Sequence, residues 1–131
     1  MSEQKYAYLK PGLFARGWHL VLFSSELATG DVKSLRYFGR ELVAYRGESG
    51  AVAVLDAYCP HLGAHLASDG GRLFGDTIAC PFHGWRFDGA GRCVEIPYAR
   101  TIPERAVNAL DALPVMETNG FIAVWHDPEG N

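Results

Sequence analysis

Apolar residues along this chain fall into short runs, rich in β-branched and aromatic residues, that Gly, Asp and Asn interrupt. Trp18 to Phe23, Val32 to Phe38, Glu41 to Arg46 and Ala51 to Asp56 are the first four, and each reads as a strand. Gly39-Arg40 forms a two-residue turn and Gly47-Glu48-Ser49-Gly50 a four-residue one, so neighbouring strands run antiparallel. One helical turn fits Ser24 to Thr29, capped by Ser24 or Ser25 and stopped by Gly30. Ala57 to Ala67 and Asp69 to Trp85 are dense in Gly, Pro, Cys and His, with only Thr77-Ile78-Ala79 extended, which makes this stretch loop-built. Trp85-Arg86-Phe87 and Cys93 to Ile96 flank the Gly-rich connection Asp88 to Arg92. Leu113 to Glu117 and Phe121 to Trp125 bracket Asn119-Gly120, the strongest short hairpin signal in the chain, and His126 to Asn131 reads as a domain exit. Turn-bounded strands without alternating helices predict an all-β antiparallel sandwich or barrel.

Composition bounds the function. The 131 residues suit one domain, and 48% hydrophobic with 21% charged residues is enough for a core. The longest apolar runs, such as Val52 to Leu55, fall far short of the roughly 20 residues that span a bilayer. Met1 to Lys5 lacks the basic segment and continuous apolar core of a secretory signal, so a cytoplasmic protein with no membrane partner is expected. Net charge is -3 and the 12 Lys and Arg are scattered, which predicts no nucleic-acid partner. Three cysteines are too few for a disulfide framework, so each is placed individually.

Cys59-Pro60-His61 and Cys80-Pro81-Phe82-His83 form C-x-H and C-x-x-H boxes with 18 residues between them. Each box offers one thiolate and one imidazole, with a proline stiffening the turn after the cysteine. Such a set can enclose one tetrahedral zinc ion or one two-iron cluster. Structural zinc sites space paired ligands by two to four residues, so C-x-x-H fits while C-x-H is tight for two ligands on one ion. If both cysteines bind one iron and both histidines the other, neither box must converge on one atom, so the spacing prefers a cluster. The zinc alternative makes the chain a non-redox structural or binding module.

Cys59-Pro60-His61-Leu62-Gly63-Ala64 and Cys80-Pro81-Phe82-His83-Gly84-Trp85 resemble the two cluster loops of Rieske iron-sulfur domains. The resemblance runs from about Trp18 to Asp127. It implies a [2Fe-2S] centre with Cys59 and Cys80 on the inner iron and His61 and His83 on the outer one. It also implies a single Rieske domain over 1-131, with a small cluster-binding subdomain at about 57-97 on a larger β base from 18-56 and 98-127. Two neutral imidazoles in place of two thiolates bring the oxidised cluster from a formal charge of about -2 to roughly zero, which favours uptake of an electron and raises the potential. The implied role is an electron relay. Respiratory members carry a further cysteine in each box and a serine after the second His-Gly; here Ala64, Phe82 and Trp85 stand there. No disulfide joins such loops, and the lost hydroxyl predicts a potential toward the low end of roughly -150 to +300 mV.

Residues 55-64, the second box, Gly91-Arg92-Cys93 through Ile96-Pro97-Tyr98-Ala99 and Val124-Trp125-His126-Asp127-Pro128 resemble N-terminal domains of Rieske oxygenases acting on steroids and sterols. The resemblance implies a flavin-containing or ferredoxin reductase as electron donor and an oxygenase mononuclear iron as acceptor. The chain then serves either as a separate ferredoxin or as an oxygenase domain. His19, His65 and His126 are too dispersed in sequence for the triad that mononuclear iron needs, so the chain alone should hydroxylate nothing.

Gly63 and Gly84 are expected to support the cluster by letting backbone N–H groups approach its sulfides, whereas Gly70-Gly71 serves equally well as an ordinary turn. Trp85 either shields the cluster or packs in the sheet core. His65 is expected to hydrogen-bond near the surface, His19 and His126 to be structural, and Cys93 to be a buried, inert thiol. Trp18, Phe23, Phe121 and Trp125 are expected in the core.

Overall fold

A computed structural model describes residues 16-59, 64-68, 71-81, 84-97, 101-102 and 110-127. Its central layer is built from the unbroken apolar runs at 42-45 and 52-55, because a strand covered on both faces has no polar side to show. Strands β1 (Gly17–Phe23), β2 (Val32–Tyr37), β3 (Arg40–Arg46) and β4 (Val52–Asp56) precede a small meander of β5 (Arg72–Phe74), β6 (Thr77–Ala79), β7 (Arg86–Phe87) and β8 (Cys93–Glu95). The chain then returns through β9 (Ala112–Leu113), β10 (Val115–Thr118) and β11 (Phe121–His126). Three sheets result, with orders β1-β11-β10, β2-β3-β4-β9 and β5-β6-β7-β8, and every pairing is antiparallel. The expected all-β class holds, and among the described residues no helix is long and apolar enough to cross a membrane.

Alternation along β3 and β4 sends Leu42, Ala44 and Val54 toward β1 and β11, where they meet Val21, Leu22, Ile122 and Val124. Val43, Tyr45, Ala53 and Leu55 point the other way, onto Ile78, Phe87 and Cys93 of the meander together with Cys59 and Cys80. Each fully buried Leu, Ile or Phe side chain here contributes about 2 kcal/mol by removal of apolar area from water. Polar ties join the same two layers. The Tyr45 hydroxyl donates to the Asp76 carbonyl at 2.8 Å, and the Glu48 and Ser49 amides donate to Gly75 O and Asp76 Oδ1 at 3.0 and 2.9 Å.

Several expectations need correction. The β2-β3 turn is Phe38-Gly39, not Gly39-Arg40, since Tyr37 pairs with Arg40 and both turn residues have positive φ, 59° and 75°. Phe38 accepts this uncommon conformation because its ring is buried, stacked on His126 at 4.1 Å and meeting the His19 ring edge-on at 5.1 Å. Residues 72-74, expected in a loop, form β5. The single strand expected at 113-117 divides at Pro114, which passes the chain from β4 in the central sheet to β11 in the outer one. Ser24 to Glu26 form a 3₁₀ turn closed by the Glu26 carboxylate, which accepts the Phe23 amide at 2.7 Å, rather than by a serine cap. Trp18, Phe23 and Phe121 are 45%, 51% and 41% exposed, because β1 and β11 turn one face outward, with a bulge at Leu20–Leu22 bringing both Val21 and Leu22 inward. Trp18 pairs edge-on with the partly buried Trp125, and Phe23 packs tilted at 45° against Phe121.

Arg46 anchors the outer sheet to the central one. Its Nη1 and Nη2 donate to the two Glu117 oxygens at 2.9 and 2.7 Å, while Nε donates to Leu27 O at 2.6 Å. These hydrogen bonds pull the Glu117 carboxyl down to about 2. A depressed carboxyl stabilises the fold above its unfolded value of about 4.5, and that contribution is lost as pH falls toward 2. Glu117→Gln is therefore expected to cost about 1 kcal/mol at pH 7, given partial exposure, and to shrink the difference between urea midpoints at pH 7 and pH 3.

Candidate functional site

The feet of two short loops sit in the meander core. At the first, residues 57-59 run antiparallel to 64-66: the Cys59 amide donates to Ala64 O and the Leu66 amide to Ala57 O, both at 2.7 Å, with Tyr58 and His65 bridged between them. At the second, the β6-β7 pair Ala79 and Arg86 is followed by Cys80 N–H to Trp85 O at 2.7 Å and Gly84 N–H to Cys80 O at 3.1 Å. Each cysteine thus stands at the foot of a hydrogen-bonded loop. Cys59 and Cys80 are 1% and 3% exposed and belong to one apolar cluster with Leu55, Leu66, Ile78 and Phe87, and none of the three cysteines is in a disulfide. His61, Gly63 and His83 lie outside the described residues.

This donor set fits a [2Fe-2S] group. Two buried thiols outside any disulfide come from separate loop feet that meet in one apolar cluster, the thiolate half of such a ligand set. Gly84 is needed where it stands, with φ 74° and a position at which a Cβ would press on Pro97 Cγ at 3.2 Å. Gly71 has a turn conformation and abuts Val32, while Gly70 lies outside the described residues. Trp85 is half-buried against the same core, its ring 6.5 Å from that of Phe87. Ala64 is buried at the place of the respiratory cysteine, and Phe82 lies outside the described residues.

The remaining histidines and Cys93 take structural places. His19 and His126, far apart in sequence, have ring centroids 6.1 Å apart around Phe38. Among the described residues no group of three or more His, Cys, Asp and Glu converges as a metal site. Cys93 is buried with Sγ 3.7 Å from Glu95 O, and burial pushes its thiol up, away from reactive thiolate. Sequence reasoning missed Glu41. Its Oε2 accepts the Tyr58 hydroxyl, a bond that raises the phenol's pKa, and its Oε1 lies 3.8 Å from His65 Nε2. Nothing in the strand pattern around residue 41 marked it, because its partners sit across the first loop.

The profile of the Rieske [2Fe-2S] domain family matches residues 17–114. A probable 3-ketosteroid-9-alpha-monooxygenase, oxygenase component, of Rhodococcus rhodochrous is 47% identical over 121 residues, covering 92% of this chain and 29% of that protein. Cholesterol 7-desaturase of Hemicentrotus pulcherrimus is 45% identical over 124 residues, covering 92% of this chain and 26% of its own. The crystal structure of dicamba monooxygenase with non-heme iron and dicamba superposes with a TM-score of 0.77 at 31% identity, over 88% of this chain and 35% of that one. The chain therefore spans under a third of the length of the curated relatives it matches.

Proposed function

Because the chain belongs to the Rieske [2Fe-2S] domain family, we propose that it relays single electrons from a reductase to the mononuclear iron of an oxygenase acting on a steroid or sterol. The observation that carries this is the pair of buried cysteines at the feet of two closed loops in one core, Cys59 and Cys80. In this proposal Cys59 and Cys80 hold one iron, His61 and His83 the other, with Gly63, Gly84 and Trp85 around them. When bound, the cluster accepts and gives up one electron at a time. The chain's part is to keep water from the sulfurs, through Leu55, Leu66, Ile78 and Phe87, and to hold both loops at fixed distance on one core. Residues 57-97 form the cluster-holding part, on a base from 18-56 and 98-127. A cytoplasmic setting suits the reductase partner.

Purified protein is expected to be brown, with equal iron and acid-labile sulfide, and its reduced form to give a rhombic paramagnetic signal with mean g below two. A colourless protein holding zinc would refute the proposal. The substrate class rests on the relatives' names, and a 3-ketosteroid reaction supported by this chain joined to an oxygenase iron domain, but not by either alone, tests it.

A further inference from the structure

Glu41 belongs to the base, on β3, yet it touches the first loop at three places. Its carbonyl accepts the Ala57 amide at 3.2 Å, one carboxylate oxygen accepts the Tyr58 hydroxyl, and the other faces His65 Nε2 at 3.8 Å. Tyr58 and His65 are the opposed residues at the loop's mouth, bridged through the backbone, with ring centroids 5.2 Å apart at 75°. His65 Nδ1 accepts the Ala67 amide at 3.0 Å, which assigns the ring proton of the neutral form to Nε2, the nitrogen turned toward Glu41. One side chain of β3 thus contacts both legs of the loop, 57-59 through Tyr58 and 64-66 through His65.

We propose that Glu41 is a positioning residue for the first cluster loop, clamping Tyr58 and His65 so that the two legs 57-59 and 64-66, and Cys59 with them, hold one geometry on the core. The proposal rests on that loop being a metal-holding one. The bonds concerned are local and partly exposed, so the clamp governs parting of the legs 57-59 and 64-66 rather than unfolding of the domain. Arg36, opposite Glu41 in the β2-β3 ladder, shares its face of the sheet and its charge also reaches Tyr58, so the cation stands beside the clamp.

The test compares parent protein, Glu41→Ala, Tyr58→Phe and Glu117→Gln. Iron transfer to excess chelator is followed at pH 7 beside urea unfolding and the paramagnetic spectrum of the reduced state. E41A and Y58F are expected to release iron about tenfold faster, equivalent to about 1.4 kcal/mol of loop opening, and to show broadened signals. E117Q, which weakens the base far from the loop, should keep the parent rate. Parent-like rates and sharp signals in both loop variants overturn the clamp. Acceleration in E41A alone removes Tyr58 from the clamp, and so overturns a clamp on both legs. Equal acceleration in E117Q makes the effect global and has the same consequence. If the parent binds zinc, the electron-relay proposal fails, and zinc release from the same four proteins still decides the clamp.

Discussion

Alanine at Cys59 or at Cys80 is expected to leave a folded protein that binds less than about a tenth of the parent's iron and has no visible absorption band. In the proposed ligand set each sulfur would supply one of two thiolates to the same iron, and without it the cluster would be lost to water or chelator. The fold has another source of stability. Both cysteines sit among Leu55, Leu66, Ile78 and Phe87, so removing one sulfur trims a small volume from a large apolar cluster, at a cost of about 1 kcal/mol. Cys93→Ala is the matched control. It lies in the same cluster but is committed to the Glu95 carbonyl, so its variant should keep full iron. Metal analysis and far-ultraviolet dichroism on the three variants read this directly, and full iron in Cys80→Ala would remove Cys80 from the ligand set.

The second large effect concerns charge. Exchanging the nitrogen donor of the second box for sulfur, His83→Cys, adds a negative charge to the oxidised centre and makes electron uptake less favourable. Mixed His and Cys ligation spans roughly -150 to +300 mV, whereas four cysteines give about -400 mV, so one exchange should lower the potential by on the order of 100 mV. Protein-film voltammetry measures it. An intact cluster at the parent potential would separate the high potential of this ligand set from the ligand charge, against the argument above.

Much of this was legible in the chain because the informative residues are local. Cys59 and Cys80, singled out by their boxes, stand at the feet of two loops in one core, and the Asn119-Gly120 turn states its own geometry, with φ 50° and 81°. What escaped depended on tertiary partners. Phe38 enters a left-handed turn only because His126, 88 positions later, gives its ring a stacking surface. The aromatic residues of β1 and β11 look like core residues by type, and only the sheet's place as an outer layer turns them to solvent. Glu41 carries no local mark, since Tyr58 and His65 approach it only after β3 and β4 have paired.

The middle sheet belongs to two hydrophobic interiors at once, through Leu42, Ala44 and Val54 on one side and Val43, Tyr45, Ala53 and Leu55 on the other. Neither flanking layer can melt away without wetting a face of β3 and β4, which couples the two halves thermodynamically. Heating should accordingly bleach the chromophore and dissolve the outermost strands at one shared temperature, as a single cooperative event rather than as successive stages.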